Sequence, residues 1–128
     1  MSNVFVRVNG DTSSSYWWHG TEVYSGSNSN VASATVATAG QIGYTQNNSH
    51  TAGYFSGTEM EISDYGATTK YKTGRFQSRV DSVDTAVGYM TYGSFVFLNT
   101  AAITSLSFYL SSGDWIAGSR FSIYGIGG

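Results

Sequence analysis

Cysteine and proline are both absent from this chain of 128 residues. Without cysteine there is no disulfide framework and no thiolate metal site. Proline's absence is unusual in a chain rich in loops, whose turn signals are instead Gly, Ser and Asn. Charge is scarce: 11% of residues are charged, and the formal net charge is -2. Only six residues are Lys or Arg, and four of them lie within 70–79, so nothing here is basic enough for nucleic acid. No stretch approaches the roughly 20 apolar residues of a membrane span. Met1 is followed by Ser2-Asn3, with no basic leader and no long apolar run, so synthesis in a cytosol is expected.

Catalytic motifs are missing as well. There is no Gly-x-Ser-x-Gly elbow, no Gly-rich phosphate loop followed by a helix, and no Asp-x-Asp-x-Asp-Gly array. A Ca²⁺ site from Asp11, Asp64 or Asp114 with loop carbonyls is chemically conceivable but has no array behind it. The two histidines, His19 and His50, have no metal spacing, and a site would need a third ligand such as Asp11 or Glu22. Glu59 and Glu61 share one face at the spacing of a carboxylate pair, but alternating Glu on a strand is ordinarily a solvated face. No catalytic residue, metal or cofactor is expected.

What is present is an all-β composition. Aromatics reach 16%, with ten Tyr, seven Phe and three Trp, and there are 16 Gly. Aromatic and β-branched residues between Gly, Ser and Asn turns are the material of strands. Val4, Val6 and Val8 alternate with Phe5 and Arg7, and Asn9-Gly10-Asp11 turns. Tyr16–Tyr24 is a strand with Tyr16, Trp18, Gly20, Glu22 and Tyr24 on one side and Trp17, His19, Thr21 and Val23 on the other. Both sides begin aromatic, which predicts burial on both faces or stacking against a partner. Residues 25–29 read as a polar loop. Val31–Thr38 suits a strand or one short helix, with Val and Thr favouring the strand. Gln41–Tyr44 is a short strand, and 46–50 a loop.

Ser56–Asp64 alternates, with Met60 and Ile62 opposite Glu59 and Glu61. Thr69–Asp81 places Phe76, Ser78 and Val80 inward and Arg75, Gln77 and Arg79 outward, where the arginines complement Glu59 and Glu61. Ala86–Leu98 is a long aromatic strand with bulges expected at Gly88 or Gly93. Thr104, Leu106, Phe108 and Leu110 share a face of the next strand, and Phe121 and Ile123 anchor a last one. The sum is one domain over residues 1–128, an antiparallel two-sheet sandwich, jelly-roll-like, of about eight strands.

Two clusters are candidate sites. Tyr16, Trp17, Trp18 and His19, with Trp115, form a contact face. Stacked aromatics beside His19 and Glu22 suit a sugar ring, while the plainer reading is core and oligomer interface. Trp115, in the turn before the final strand, is read as a plug over the sandwich end. Lys70, Lys72, Arg75 and Arg79 form the one basic stretch, either a docking patch for an acidic surface or a solvated strand. On a strand the lysines and the arginines fall on opposite faces unless Gly74 carries a bulge.

Three segments carry a resemblance. The first is Asn99–Ile126, with Ile103-Thr104-Ser105, then Gly118-Ser119, then Tyr124-Gly125-Ile126. The second is Gly57–Tyr65. The third is Val8-Asn9-Gly10-Asp11 leading to Tyr16. Together they resemble small virion structural proteins of tailed bacteriophages. The resemblance implies no reaction, and a place in the virion after synthesis in the bacterial cytoplasm. The role would be head decoration or cement, in contact with major capsid proteins. Alternatively it would be a tail or fibre component that binds a host glycan. Members of that group often begin with further strands, whereas this chain starts almost at its Asn-Gly-Asp turn. A missing edge strand leaves unpaired backbone groups, so strand sharing or tight homotrimer contacts are expected.

Overall fold

A computed structural model describes residues 1–24, 30–50, 53–82 and 87–126. The expected polar loop at 25–29 and the start of the aromatic strand at Ala86 lie outside them. Eight strands run in order: β1 Ser2–Val8, β2 Tyr16–Tyr24, β3 Asn30–Ala37, β4 Gly40–Thr45, β5 Ser56–Ile62, β6 Lys72–Ser82, β7 Val87–Phe97 and β8 Leu106–Leu110. They form two antiparallel sheets, one of three strands in the order β4-β1-β8 and one of five in the order β3-β2-β7-β6-β5. β1 pairs with β8 in one sheet and β2 with β7 in the other, a nested order of the kind jelly rolls use. The β2–β3 pair, the β5-β6-β7 meander and the non-consecutive β1–β4 pair complete the rest.

The alternation read in the sequence is the alternation of burial. Val4, Val6 and Val8 point inward from β1, and Phe76, Ser78 and Val80 inward from β6. Val4, Val6 and Ile42 from the small sheet meet Phe76 and Phe95 from the large one. Val8, Tyr16 and Phe97 form a second cluster. Outside, Phe5 stacks on Tyr109 across the β1–β8 pair, and the Arg7 guanidinium lies 4.5 Å from the Tyr109 ring centre.

Gly43 sets where the sheets touch. Its φ is +126°, and a Cβ there would meet the Ser78 Cβ at 2.1 Å. The absent side chain lets the β4 backbone reach β6, where Ser78 Oγ accepts from Tyr44 N (3.2 Å) and donates to Tyr44 O (3.0 Å). A register shift between Val4 and Phe5 accompanies this bend.

Four expectations are corrected. β7 runs without a bulge at Gly88 or Gly93, because its register with β2 and β6 is continuous. β6 begins at Lys72 rather than Thr69, and Thr104 precedes β8. Residues 119–126 join no sheet among the described residues. β1 is flanked on both sides, and the edges of the small sheet are β4 and β8.

The three segments that carry the resemblance converge at one end of the sandwich. Asn9, at φ 53°, donates from Nδ2 to Ala102 O (2.9 Å) and accepts at Oδ1 from Thr104 N (2.8 Å) and Ser105 N (3.2 Å). Tyr65 O accepts from Ile103 N at 2.8 Å. Lys72 is fully buried, and its Nζ donates to Ala67 O (2.6 Å), Lys70 O (2.9 Å) and Thr100 O (3.1 Å). An ammonium has three donors, and here three carbonyls take them.

Candidate functional site

Strand alternation divides the Tyr16–His19 cluster between two faces. Tyr16 is buried against Phe97, with ring centres 5.1 Å apart. Its hydroxyl accepts from Val8 N (2.9 Å) and donates to Asp11 O (3.2 Å), tying β1 to β2 across the turn. Burial pushes the Tyr16 phenol above its ordinary range. Trp18 is half-buried against the main core. Trp17 and His19 face outward, with Trp17 47% exposed. Of the two alternatives expected for β2, burial of both faces within the chain is corrected, since its outer face is open to solvent; stacking against a partner concerns a second molecule.

Trp115 packs on the main core and meets Phe121 edge-on at 5.0 Å, so it acts as the expected plug, apart from Trp17. The basic stretch also divides. Lys72 points inward and is consumed by loop carbonyls, while Arg75 and Arg79 point outward and Lys70 lies in the exposed loop before the strand. No bulge at Gly74 realigns them. Arg75 Nη2 bonds Glu61 Oε2 at 2.6 Å, as charge complementarity requires, whereas Glu59 receives Gln77 Nε2 at 2.6 Å and Arg79 lies opposite Gly57. The four cations therefore do not form one patch.

What registers together is the outer face of the five-stranded sheet. One row crosses the sheet as Ser33, His19, Ser94, Arg75 and Glu61. The next runs Val31, Thr21, Tyr92, Gln77 and Glu59. Trp17 lies opposite Val96 on one flank, and Val23 opposite Met90 on the other. Val23, Val31, Met90 and Tyr92 are between 43% and 75% exposed, so one flank of the β3–β2–β7 half is apolar and aromatic, separated from Trp17 by the polar Ser33–His19–Ser94 row. The β6–β5 half is polar and charged. His19 Nε2 sits 3.2 Å from Ser94 Oγ, a hydrogen bond across β2 and β7.

A β-bulge shapes the aromatic flank. Tyr16 pairs with Ala37 but Trp18 with Ala34, so two residues of β3 oppose Trp17. Val36 in this bulge has φ 60°, a backbone conformation that β-branched residues avoid.

Sequence reasoning found Trp17 and His19 and missed Met90 and Tyr92. Their signal was the alternation of β7, but only its register with β2 brings the two sets side by side. Tyr16, Trp18 and Trp115 were drawn in by chain proximity and aromatic character, and are core instead. His50 bonds Asn47 Oδ1 through Nδ1 at 2.9 Å, in a loop rather than beside His19. Among the described residues no group of three or more His, Asp or Glu is placed to hold a metal.

Compared with known proteins, the chain matches no family model, no curated protein and no solved structure.

Proposed function

We propose that this chain is a non-enzymatic structural protein of a tailed bacteriophage virion that works by binding a particle surface as an oligomer. The observation that carries the reading is the outer face of the five-stranded sheet. Val23, Val31, Met90 and Tyr92 form an exposed apolar flank on paired strands, and half-exposed Trp17 stands on the other flank beyond the polar Ser33–His19–Ser94 row. Aromatic and Met anchors with a satisfied polar rim are what a protein interface uses. The two carboxylates at the spacing of a hydrolytic pair, Glu59 and Glu61, are engaged by Gln77 and Arg75 in sheet pairing.

Head decoration or cement, probing a capsid surface through this face, is the leading placement. It rests on the resemblance of Asn99–Ile126, Gly57–Tyr65 and Val8–Tyr16 to virion proteins. Repeated weak contacts on a symmetric shell gain strength through multivalency. The test is immunogold labelling of intact virions with an antibody to this chain. Gold spread over heads is expected; gold at the tail tip moves the role to adsorption; gold absent from the particle overturns the reading.

A glycan-binding tail module is the second reading, favoured by one feature. Trp17 offers an exposed indole face next to the His19–Ser94 pair, which suits stacking and hydroxyl recognition. It requires intrinsic fluorescence to shift when host-surface sugar is added, and the shift to vanish in Trp17→Ala. Docking on protein alone requires no shift.

A further inference from the structure

We infer that residues 120–124 are a strap that closes on β8 of the same chain as a ninth strand. The inference concerns how this chain covers its own core, and it stands apart from the virion reading.

β8 is an outer strand of the small sheet, and its hydrogen bonds show which way its backbone groups point. Ser105 O accepts from Asn9 N (2.9 Å), and Ser111 N donates to Asn3 O (3.0 Å), so the odd-numbered positions turn their backbone groups towards β1. Along an antiparallel ladder the alternate residues turn the other way. The N–H and C=O groups of Leu106, Phe108 and Leu110 therefore point away from β1, to a side with no strand among the described residues. The side chains of these three residues are only partly buried against the core. Met60 and Ile62 of β5, an outer strand of the large sheet, are partly buried too. Met60 and Ile62 on one side and Leu106 and Phe108 on the other line a cleft between the two outer strands. A free strand edge beside an apolar gap is what one more strand fills.

The segment that borders this cleft is already turned back onto β8. Residues 116–119 form a turn closed by Ser119 N donating to Ile116 O (3.0 Å). Gly118 stands at its third position with φ 93°, the positive φ that a type II turn requires there. Just after the turn, the Phe121 ring stacks on Phe108 at 5.9 Å and meets Trp115 edge-on at 5.0 Å. Beyond that anchor the strap is open: Ile123 and Tyr124 are 77% and 84% exposed, and the segment joins no sheet.

The Phe121–Phe108 stack also sets a register. With Phe121 opposite Phe108 in an antiparallel pair, Ser122 falls opposite Ser107, Ile123 opposite Leu106 and Tyr124 opposite Ser105. Phe121 and Ile123 then share the cleft face with Phe108 and Leu106, and the hydroxyl residues of both strands share the solvent face. The same register sets Phe121 and Ile123 against the two β8 residues whose backbone groups point outward. Side-chain polarity and backbone direction thus select one register, and closing it lays Ile123 beside Leu106 in the cleft.

Amide hydrogen exchange on the unmodified chain tests this directly. The closed strap predicts that the amides of Phe108 and Ile123 exchange at least a hundredfold more slowly than in an unstructured chain. Ile123→Pro, which removes a ladder donor, should return Phe108 to fast exchange while β1 and β7 stay protected. Fast exchange at Phe108 and Ile123 in the unmodified chain overturns the inference. The lack of cysteine allows a second test of the register. Ser107 and Ser122 would form a non-hydrogen-bonded pair with Cα atoms about 4.5 Å apart, within reach of a disulfide. Under glutathione disulfide at low protein concentration, Ser107→Cys/Ser122→Cys should form an intrachain bond at least tenfold faster than the diagonal pair Ser105→Cys/Ser122→Cys. Equal rates, or bonds only between chains, overturn it. Neither measurement involves a particle, so failure of the strap and failure of the virion reading are told apart.

Discussion

Asn9 holds one end of the sandwich from a single amide. It uses both its donor and its acceptor on the 102–105 segment while its own backbone sits at φ 53°. Asn tolerates that conformation better than most residues, so turn geometry and side-chain chemistry select the same residue. Asn9→Ala loses the bonds and adds backbone strain. It should destabilise by about 2–3 kcal/mol in urea unfolding. Lys72 is the other fastener: Lys72→Met leaves the carbonyls of Ala67 and Thr100 without their partner and should cost ~2–4 kcal/mol by the same measurement. Asp11 contributes on the acid side. Its carboxylate accepts from Ser13 Oγ (2.5 Å) and Ser13 N (2.7 Å), and these bonds hold its pKa below the ordinary 3.8. A depressed carboxylate adds stability above its unfolded pKa and loses it as pH falls through the folded one. Wild type should therefore lose slightly more stability than Asp11→Asn as pH drops below 3.8. The difference should be small because the group is exposed.

At the scale of elements, period-two alternation made most strands legible. β1, β2, β5 and β6 have the faces that Val4-Val6-Val8, Tyr16–Tyr24, Met60-Ile62 and Phe76-Ser78-Val80 announce. β3 resolves as a strand, where small residues had left a helix open. What the sequence did not carry is pairing. The outer face sets His19 beside Ser94, Thr21 beside Tyr92 and Val23 beside Met90 across strands some seventy residues apart in the chain, and no local pattern states that register. The final strand failed for a related reason. Phe121 and Ile123 alternate as a strand does, yet alternation says nothing about whether a neighbour is present within the same chain. Val36 is the strained point of the elements, and Val36→Asn should stabilise by about 1 kcal/mol in thermal or urea unfolding, since Asn accepts positive φ at little cost. A loss of stability would mean that the bulge does not hold Val36 in that conformation.

At the scale of the molecule, the sandwich carries two exposed apolar surfaces, the outer face of the large sheet and the C-terminal segment. The outer face of the large sheet is broad and built on paired strands, which suits docking on a foreign surface. The C-terminal segment borders the cleft of its own chain and leaves Ile123, Tyr124 and Ile126 exposed. Substitutions on the outer face should separate docking from folding. Trp17→Ala/Tyr92→Ser should leave folding and oligomer mass unchanged, because both side chains lie on the solvent side of the sheet. It should weaken attachment to the particle by tenfold or more, the loss of about 1.4 kcal/mol or more expected of aromatic anchors. A pull-down of variant protein on particles reads the difference.

The copy number of this chain in density-gradient-purified virions tests the central claim most directly. Quantitative mass spectrometry against the major capsid protein would provide it. The account predicts a fixed ratio that survives repeated banding. Particles that band free of the chain, while it remains abundant in the lysate, would contradict the account.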